Sequence, residues 1–352
     1  MDNKVEVRKL EHIFICNHCD VEYKKGTLLD NVKLIHRGTS NCNLMDIDTS
    51  IKLFNKYLSA PIIVCAITGG HTKAKEINKN IAIAIEELNL GMGVGSQRAG
   101  IINKELVDTY SVVRDYTDNL VIGNLGAVNF VMDNWNEDII EDAVSMIDAD
   151  CMAIHFNPLQ EAIQPEGDVN FKNITILKEV ITNYKRKYKN IPFMAKQVGE
   201  GFSKEDGKIL KDIGFDCIDV GGSGGTSWAL VEYYRIGNEE YKDFSKRFLE
   251  WGIPTAASIL EVRKVYDGLV IGSGGVRTGM DVAKTLLLGA DCSGLALPVL
   301  RAALKGPDKV IKLLEKIIKE LKTTMFLLGC ENINTLKKDG RYIITGELKD
   351  WL

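Results

Sequence analysis

The sequence predicts an α/β protein, a (β/α)8 barrel carrying an N-terminal extension and an insertion after the sixth strand. Three observations predict it. Eight short β-rich runs alternate with helical patterns, the signature of a parallel sheet wrapped by helices. Several of these runs are apolar on both alternating faces, as strands covered by helices require. Finally, 352 residues exceed the roughly 250 of a bare barrel and leave room for additions within one domain spanning 1–352.

The strands are expected at 61–66, 91–95, 120–124, 151–155, 191–196, 216–221, 268–273 and 291–296. Helical spacing lies between them. Ile77, Ile81, Ile85 and Leu88 form one stripe, and Ile174, Leu177, Ile181 and Tyr184 form another. Ser203 with Asp206 resembles a capping box opening a helix that stops near Gly214. After the breaker Gly306-Pro307, Val310, Leu313, Leu314, Ile317, Ile318 and Leu321 make a wide apolar face. Eight strands close a barrel, whereas an open doubly wound sheet would carry G-x-G-x-x-G after its first strand, and 67–73 lacks it. Residues 1–60 precede the barrel. Residues 222–260 are too long for a plain connection and read as a lid at the catalytic face.

Hydrophobic residues make up 45% and charged residues 26%, ordinary for a globular protein, and the net charge of −4 gives no general attraction to nucleic acid or an anionic membrane. The N-terminus has no apolar stretch behind its basic residues, and no run of about 18 apolar residues occurs, so a cytoplasmic protein is expected. Eight cysteines are too dilute for a disulfide scaffold. Cys16 and Cys19 form a CxxC near His12 and His18, but no second pair follows at zinc spacing, and buried thiols are the plainer reading.

The chemistry concentrates at strand exits. IGSGGVRTG (271–279) and GADCSGLALP (289–298) both follow a strand and precede a helix, beside the seventh and eighth strands where barrels build their phosphate site. Gly274 and Gly275 allow close backbone approach, and Arg277 adds a charge or lies solvated at the surface. DVGGSGGTSW (219–228) is a second glycine-rich exit that could grip the same phosphate. Thr68, Ser96, Gln97, Arg98, Asn124, His155 and Lys196 stand at the ends of the first five strands, facing one mouth. There Lys196 could neutralise an electron-rich cofactor and Arg98 could hold a phosphate. Gln160 and Glu161 follow His155, and a carboxylate beside a diphosphate would hold Mg2+. Arg8, Lys9 and His12 would clamp a polyanion if their segment folds over the mouth.

These residues carry a resemblance. RKLEH (8–12), GMGVGSQR (91–98), HFNPLQE (155–161), KQVGEGFS (196–203), GGTSW (224–228), GIPT (252–255) and SGGVRTGMDVAK (273–284) together resemble the type 2 isopentenyl diphosphate isomerase family along nearly the whole chain. That resemblance implies interconversion of isopentenyl and dimethylallyl diphosphate, with reduced FMN doing the acid–base work, Mg2+, and an external reductant such as NADPH. It implies that Arg8, Lys9, His12, Ser96, Gln97, Arg98, His155 and Gln160 face the substrate, with Gln160 and His155 nearest the chemistry and Glu161 on the metal. Ala66, Ile67, Thr68, Ser96, Asn124, Lys196, Thr226, Gly274, Gly275, Arg277, Ala296 and Leu297 would line the flavin. A homo-oligomer, tetramer or octamer, is implied as well. Two rival functions share the phosphate glycines: an FMN oxidoreductase acting on 2-hydroxy acids, and a non-catalytic flavin-binding scaffold.

Overall fold

A computed structural model describes residues 2–188 and 190–352. Eight parallel strands close a barrel: β1 (Ile62–Val64), β2 (Gly91–Gly93), β3 (Leu120–Gly126), β4 (Cys151–Phe156), β5 (Phe193–Gln197), β6 (Cys217–Asp219), β7 (Leu269–Ser273) and β8 (Cys292–Leu295). The ring closes where Ser293, Gly294 and Leu295 pair with Ile62, Ile63 and Val64. Each strand falls within or beside a run expected from the sequence, because burial on both faces leaves the apolar runs unbroken. The barrel interior holds Ile63, Leu120, Ile122, Cys151, Met194 and Cys292. Below them a hairpin (Ile51–Leu53 with Lys56–Leu58) inserts Leu53 and Leu58, each 1% exposed. Its two turn residues, Phe54 and Asn55, both have positive φ, the twist a two-residue hairpin needs.

The helices follow their sequence signals. Thr72–Leu88 buries Ile77, Ile81 and Ile85 and ends at a left-handed Asn89. Lys204–Ile213 opens on the reciprocal Ser203–Asp206 capping box and stops at Gly214, φ 100°. The long Pro307–Leu328 helix buries Val310, Leu314, Ile317 and Leu321. Among the described residues no helix is long and apolar enough to cross a membrane.

The insertion is shorter than 222–260. Two helices, Trp228–Arg235 and Glu239–Lys246, rise above the mouth, but Thr255–Arg263 returns to the barrel as the helix between β6 and β7. The N-terminal helix Asp2–His18 lies against Trp228–Arg235. The chain beyond it, Val21–Tyr23, bonds to the β6 exit: Tyr23 N–H donates to the Gly225 carbonyl at 2.9 Å, and Ser227 N–H to that of Val21 at 2.8 Å. Extension and insertion thus meet over the C-terminal ends of the strands and roof one cleft.

Candidate functional site

The cleft encloses about 1240 Å³, counting its open mouth, and is lined from the exits of β1 to β8 and from the N-terminal helix. One end is built of glycine. Gly274 and Gly275 have φ of 99° and 74°; a Cβ on Gly274 would fall 2.0 Å from the Gly222 carbonyl oxygen, and one on Gly225 would fall 2.3 Å from the Gly275 nitrogen. The β6 and β7 exits therefore run backbone against backbone, and only glycine permits it. Thr255 Oγ1 donates to the Gly274 carbonyl at 2.6 Å and pins the turn. Thr226, Ala296 and Leu297 border the same end. The arrangement fits a flavin phosphate. Arg277 reaches the lining, but its guanidinium pairs with Glu22 from the N-terminal segment and with its own Val276 carbonyl. It ties extension to cradle.

Along the floor, Lys196 at the end of β5 is 8% exposed and lines the cleft, with Nζ donating to the Gln197 carbonyl at 2.8 Å. Asn124, ending β3, donates from Nδ2 to the Val94 carbonyl at 3.2 Å. That fixes Oδ1 toward His155 Nδ1, 2.9 Å away. His155 must then carry its proton on Nδ1, leaving the Nε2 lone pair free. Burial pushes the His155 pKa down to about 3, helped by Lys9 and Lys196, so the ring is neutral.

The N-terminal helix supplies the opposite wall with Lys9, His12, Ile13 and Cys16. His12 Nε2 lies 2.9 Å from the fully buried Glu232 and packs edge-on against Trp228. Glu232 also accepts from Arg235 Nε at 2.7 Å and from Gln160 Nε2 at 3.4 Å. Burial works to raise the Glu232 pKa, but the His12 and Arg235 contacts outweigh it and hold it at about 2. Burial lowers the His12 pKa, so a neutral imidazole donates to a fixed carboxylate. Gln160 is oriented from both ends, since its Oε1 accepts from Asn157 Nδ2 at 3.2 Å. The half-buried Lys9 is pushed down to about 8, first by burial and then by Arg8.

Other expected residues stand elsewhere. Gln97 does not reach the cleft: it is 0% exposed, donates to the Ala143 carbonyl at 2.7 Å and accepts from Asn124 N–H at 2.9 Å. It braces β3 rather than meeting substrate. Ser96, its neighbour, does line the cleft, as do Ala66 and Ile67. Thr68 is 4% exposed just behind, its carbonyl taken by Gly95 N–H. Arg98 pairs with Asp168 at 2.8 Å and Asp133 at 3.2 Å, outside the lining. Arg8 reaches Glu166 at 3.8 Å.

Glu161 accepts from Asn157 Nδ2 and Asp168 N–H, each at 2.8 Å, and burial raises its pKa. The neighbouring Asn157 Oδ1 is buried with no partner among the described residues. A desolvated carboxylate beside a free carbonyl oxygen fits a divalent cation that takes the rest of its shell from phosphate and water. No group of three His, Cys, Asp or Glu able to hold a metal occurs among the described residues. Burial pushes the Cys16 thiol up to about 12, and the Cys16 and Cys19 carbonyls accept from Arg301. His18 stacks on Phe14. Glu232 was missed by sequence reasoning. Its one signal, an i,i+3 pairing with Arg235, is common on solvated helices.

A family model described as FMN-dependent dehydrogenase matches residues 168–342. The chain is 69% identical to the isopentenyl-diphosphate delta-isomerase of Methanococcus aeolicus, covering 100% of both chains. It is 67% identical to that of Methanocaldococcus jannaschii, over 99% of this chain and 97% of the relative. Among solved structures, a lactate oxidase of Pediococcus acidilactici superposes with a TM-score of 0.67 at 15% identity, covering 98% and 93% of the two chains. Mandelate oxidase with (S)-2-phenylpropionate gives 0.64 at 19%, covering 97% and 98%. These likenesses show a shared barrel.

Proposed function

The chain belongs to the isopentenyl-diphosphate delta-isomerase family, and from that premise we propose that it interconverts isopentenyl and dimethylallyl diphosphate. The observation that carries this reading is the cleft's division into a glycine cradle at one end and a roof of Lys9, His12 and Gln160 at the other. A flavin phosphate suits the first, and a short diphosphate ester suits the second.

The reaction adds a proton to one alkene carbon and removes another nearby, with no net redox change. Reduced FMN, when bound, supplies the acid–base chemistry of that exchange. The protein's part is to orient and to exclude water. Thr226, Gly274, Gly275, Ala296 and Leu297 would hold the flavin phosphate, with Ala66, Ile67, Thr68, Ser96, Asn124 and Lys196 against the ring. Lys9, Arg8, His12 and Arg98 would take the diphosphate, the arginine after leaving its aspartate partners. Gln160, held between Asn157 and Glu232, presents a fixed amide to the reacting carbons, and His155 presents a neutral acceptor nitrogen. A neutral imidazole, unlike an imidazolium, sets no like charge against a carbocation developing beside it. Trp228 and the N-terminal helix close the cleft against solvent.

Glu161, with the Asn157 Oδ1 beside it, would hold Mg2+, which would supply positive charge to offset the substrate's diphosphate. NADPH is the reductant we assign, the cytoplasm the compartment, and a tetramer or octamer the assembly. Isopentenyl diphosphate supplied anaerobically with photoreduced FMN and Mg2+ tests the reading. Many turnovers with the flavin still reduced are expected. Oxidised FMN reduced stoichiometrically by an added 2-hydroxy acid, with no isomer formed from isopentenyl diphosphate, would instead support a 2-hydroxy acid oxidoreductase, and flavin binding without any product would support a scaffold.

A further inference from the structure

One fully buried acid has no place in the account so far. Asp219 ends β6 and is 0% exposed. In the sheet register it lies directly beside Lys196 of β5. Its Oδ1 accepts from Ser273 Oγ at 2.5 Å and from Gly221 N–H at 3.3 Å. Its Oδ2 faces Lys196 Nζ at 3.6 Å and Cys65 Sγ at 3.9 Å. Strands β1, β5, β6 and β7 thus converge on one carboxylate, and only the Lys196 partner reaches the cleft floor as a cation.

We propose that Asp219 is a positioning residue that keeps Lys196 cationic and aimed at the flavin ring, so that the protein favours reduced over oxidised FMN. This rests on the flavin reading above. Oδ1 is anchored by Ser273 and Gly221, so Oδ2 cannot swing away and Lys196 has one fixed counter-charge. A second bond to the Gln197 carbonyl sets the ammonium's direction. The groups facing Lys196 are Asp219 from β6, Cys65 from the β1 exit, Glu200 from the β5 exit and His155 from β4. Burial pulls the Lys196 pKa down, but Asp219, followed by Cys65 and Glu200, together outweigh it and leave the pKa raised. His155 is neutral. Without Asp219 the largest contribution opposing desolvation is lost, leaving only Cys65 and Glu200, and a buried lysine with so little counter-charge gives up its proton at a lower pH. A neutral amine gives no electrostatic preference for the more electron-rich flavin.

The test compares dissociation constants for oxidised and reduced FMN, anaerobically, from pH 6.5 to 9, in wild type and Asp219→Asn. The ratio of the two constants reports the preference, and the flavin's own titration cancels between the proteins. Relative to wild type, the variant's preference for reduced FMN should fall about tenfold across that range as Lys196 deprotonates. Parallel profiles would overturn the proposal. Removing one member of a buried pair can also cost folding. Lys196→Met and the Lys196→Met, Asp219→Asn double variant, which leaves no charge uncompensated, cover that case. If Asp219 acts through Lys196, the loss of preference caused by Asp219→Asn should vanish or reverse in the Lys196→Met background, where the lone carboxylate can only oppose the electron-rich flavin; the same loss in both backgrounds would make Asp219 merely structural. Failure of wild type to bind FMN at all would sink the flavin reading and this one with it, a result distinct from either profile.

Discussion

Replacing Glu200 with glutamine should remove a pH-dependent weakness from the fold. Glu200 follows Val198 and Gly199 at the cleft's edge, is 6% exposed, and has both carboxyl oxygens buried without a hydrogen-bond partner among the described residues. Its backbone is fully engaged, with N–H donating to Gln197 Oε1 and the carbonyl accepting from Ile253 N–H. Burial pushes its pKa from 4.5 to about 7, with the Gln197 side chain and Lys196 only partly opposing it. As pH rises from 4.5 toward 7 the unfolded chain releases this proton while the folded one keeps it. The unfolded state then binds fewer protons, and stability falls across that window. At about 1.4 kcal/mol per pH unit the loss reaches about 3 kcal/mol by pH 8. A chain of this length has an unfolding entropy that converts this to about 4 °C in Tm. Thermal unfolding of wild type and Glu200→Gln at pH 5, 6, 7 and 8 measures it. The variant should match wild type within a degree or two at pH 5 and exceed it by several degrees at pH 8. Parallel curves would mean that Glu200 is ionised in the folded protein and paired, contrary to the reasoning.

Three further outcomes follow from the site. Gly274→Ala should yield protein without flavin absorbance after purification, since its Cβ would overlap the Gly222 carbonyl and φ is 99°; full FMN retention would remove the cradle from the site. Gln97→Leu should leave the Ala143 carbonyl and Asn124 N–H unpaired and cost about 2 kcal/mol in urea unfolding, with KM for isopentenyl diphosphate unchanged. A raised KM at normal stability would return Gln97 to the substrate. Glu161→Gln should raise the Mg2+ concentration for half-maximal activity by about tenfold or more while keeping FMN bound. Loss of flavin instead would make Glu161 structural.

The barrel was legible because its physics is periodic. Strands buried on both faces read as unbroken apolar runs, and the Ser203–Asp206 box and Gly214 marked a helix at both ends. The end of the insertion was not. Thr255–Arg263 buries Thr255, Ala256, Ala257, Ser258, Ile259 and Val262, so it shows neither an amphipathic stripe nor a polar face, and its small residues resemble loop. Ser96 and Gln97 are adjacent in the loop that leaves β2. Both lie past the end of the strand at Gly93, and Gln97 caps the short Arg98–Ile102 helix, so no strand alternation told which of the two faces the cleft. Asp219 and Glu232 were invisible for another reason. Each depends on a partner from a different strand or helix, Lys196 at 3.6 Å and His12 at 2.9 Å, and only strand register and helix docking bring those pairs together.

The site's charges divide by how each is compensated. Lys196 is backed by a carboxylate held on the side away from the cleft and stays charged before any ligand arrives. Arg235 and His12 are spent on Glu232, which fixes the roof and keeps His12 neutral. Among the residues from 7 onward whose side chains are described, Lys9 forms no ion pair within 4.0 Å and feels only the more distant pull of Glu161 and Glu232, and its pKa lies near 8. A buried amine in that state gains its full charge when a dianionic diphosphate supplies the missing counter-charge. Binding energy at the roof is therefore realised only with an anion present, whereas the floor is polarised in advance. A preformed cation on one side and a ligand-completed one on the other suit a resident cofactor below and an exchanging substrate above.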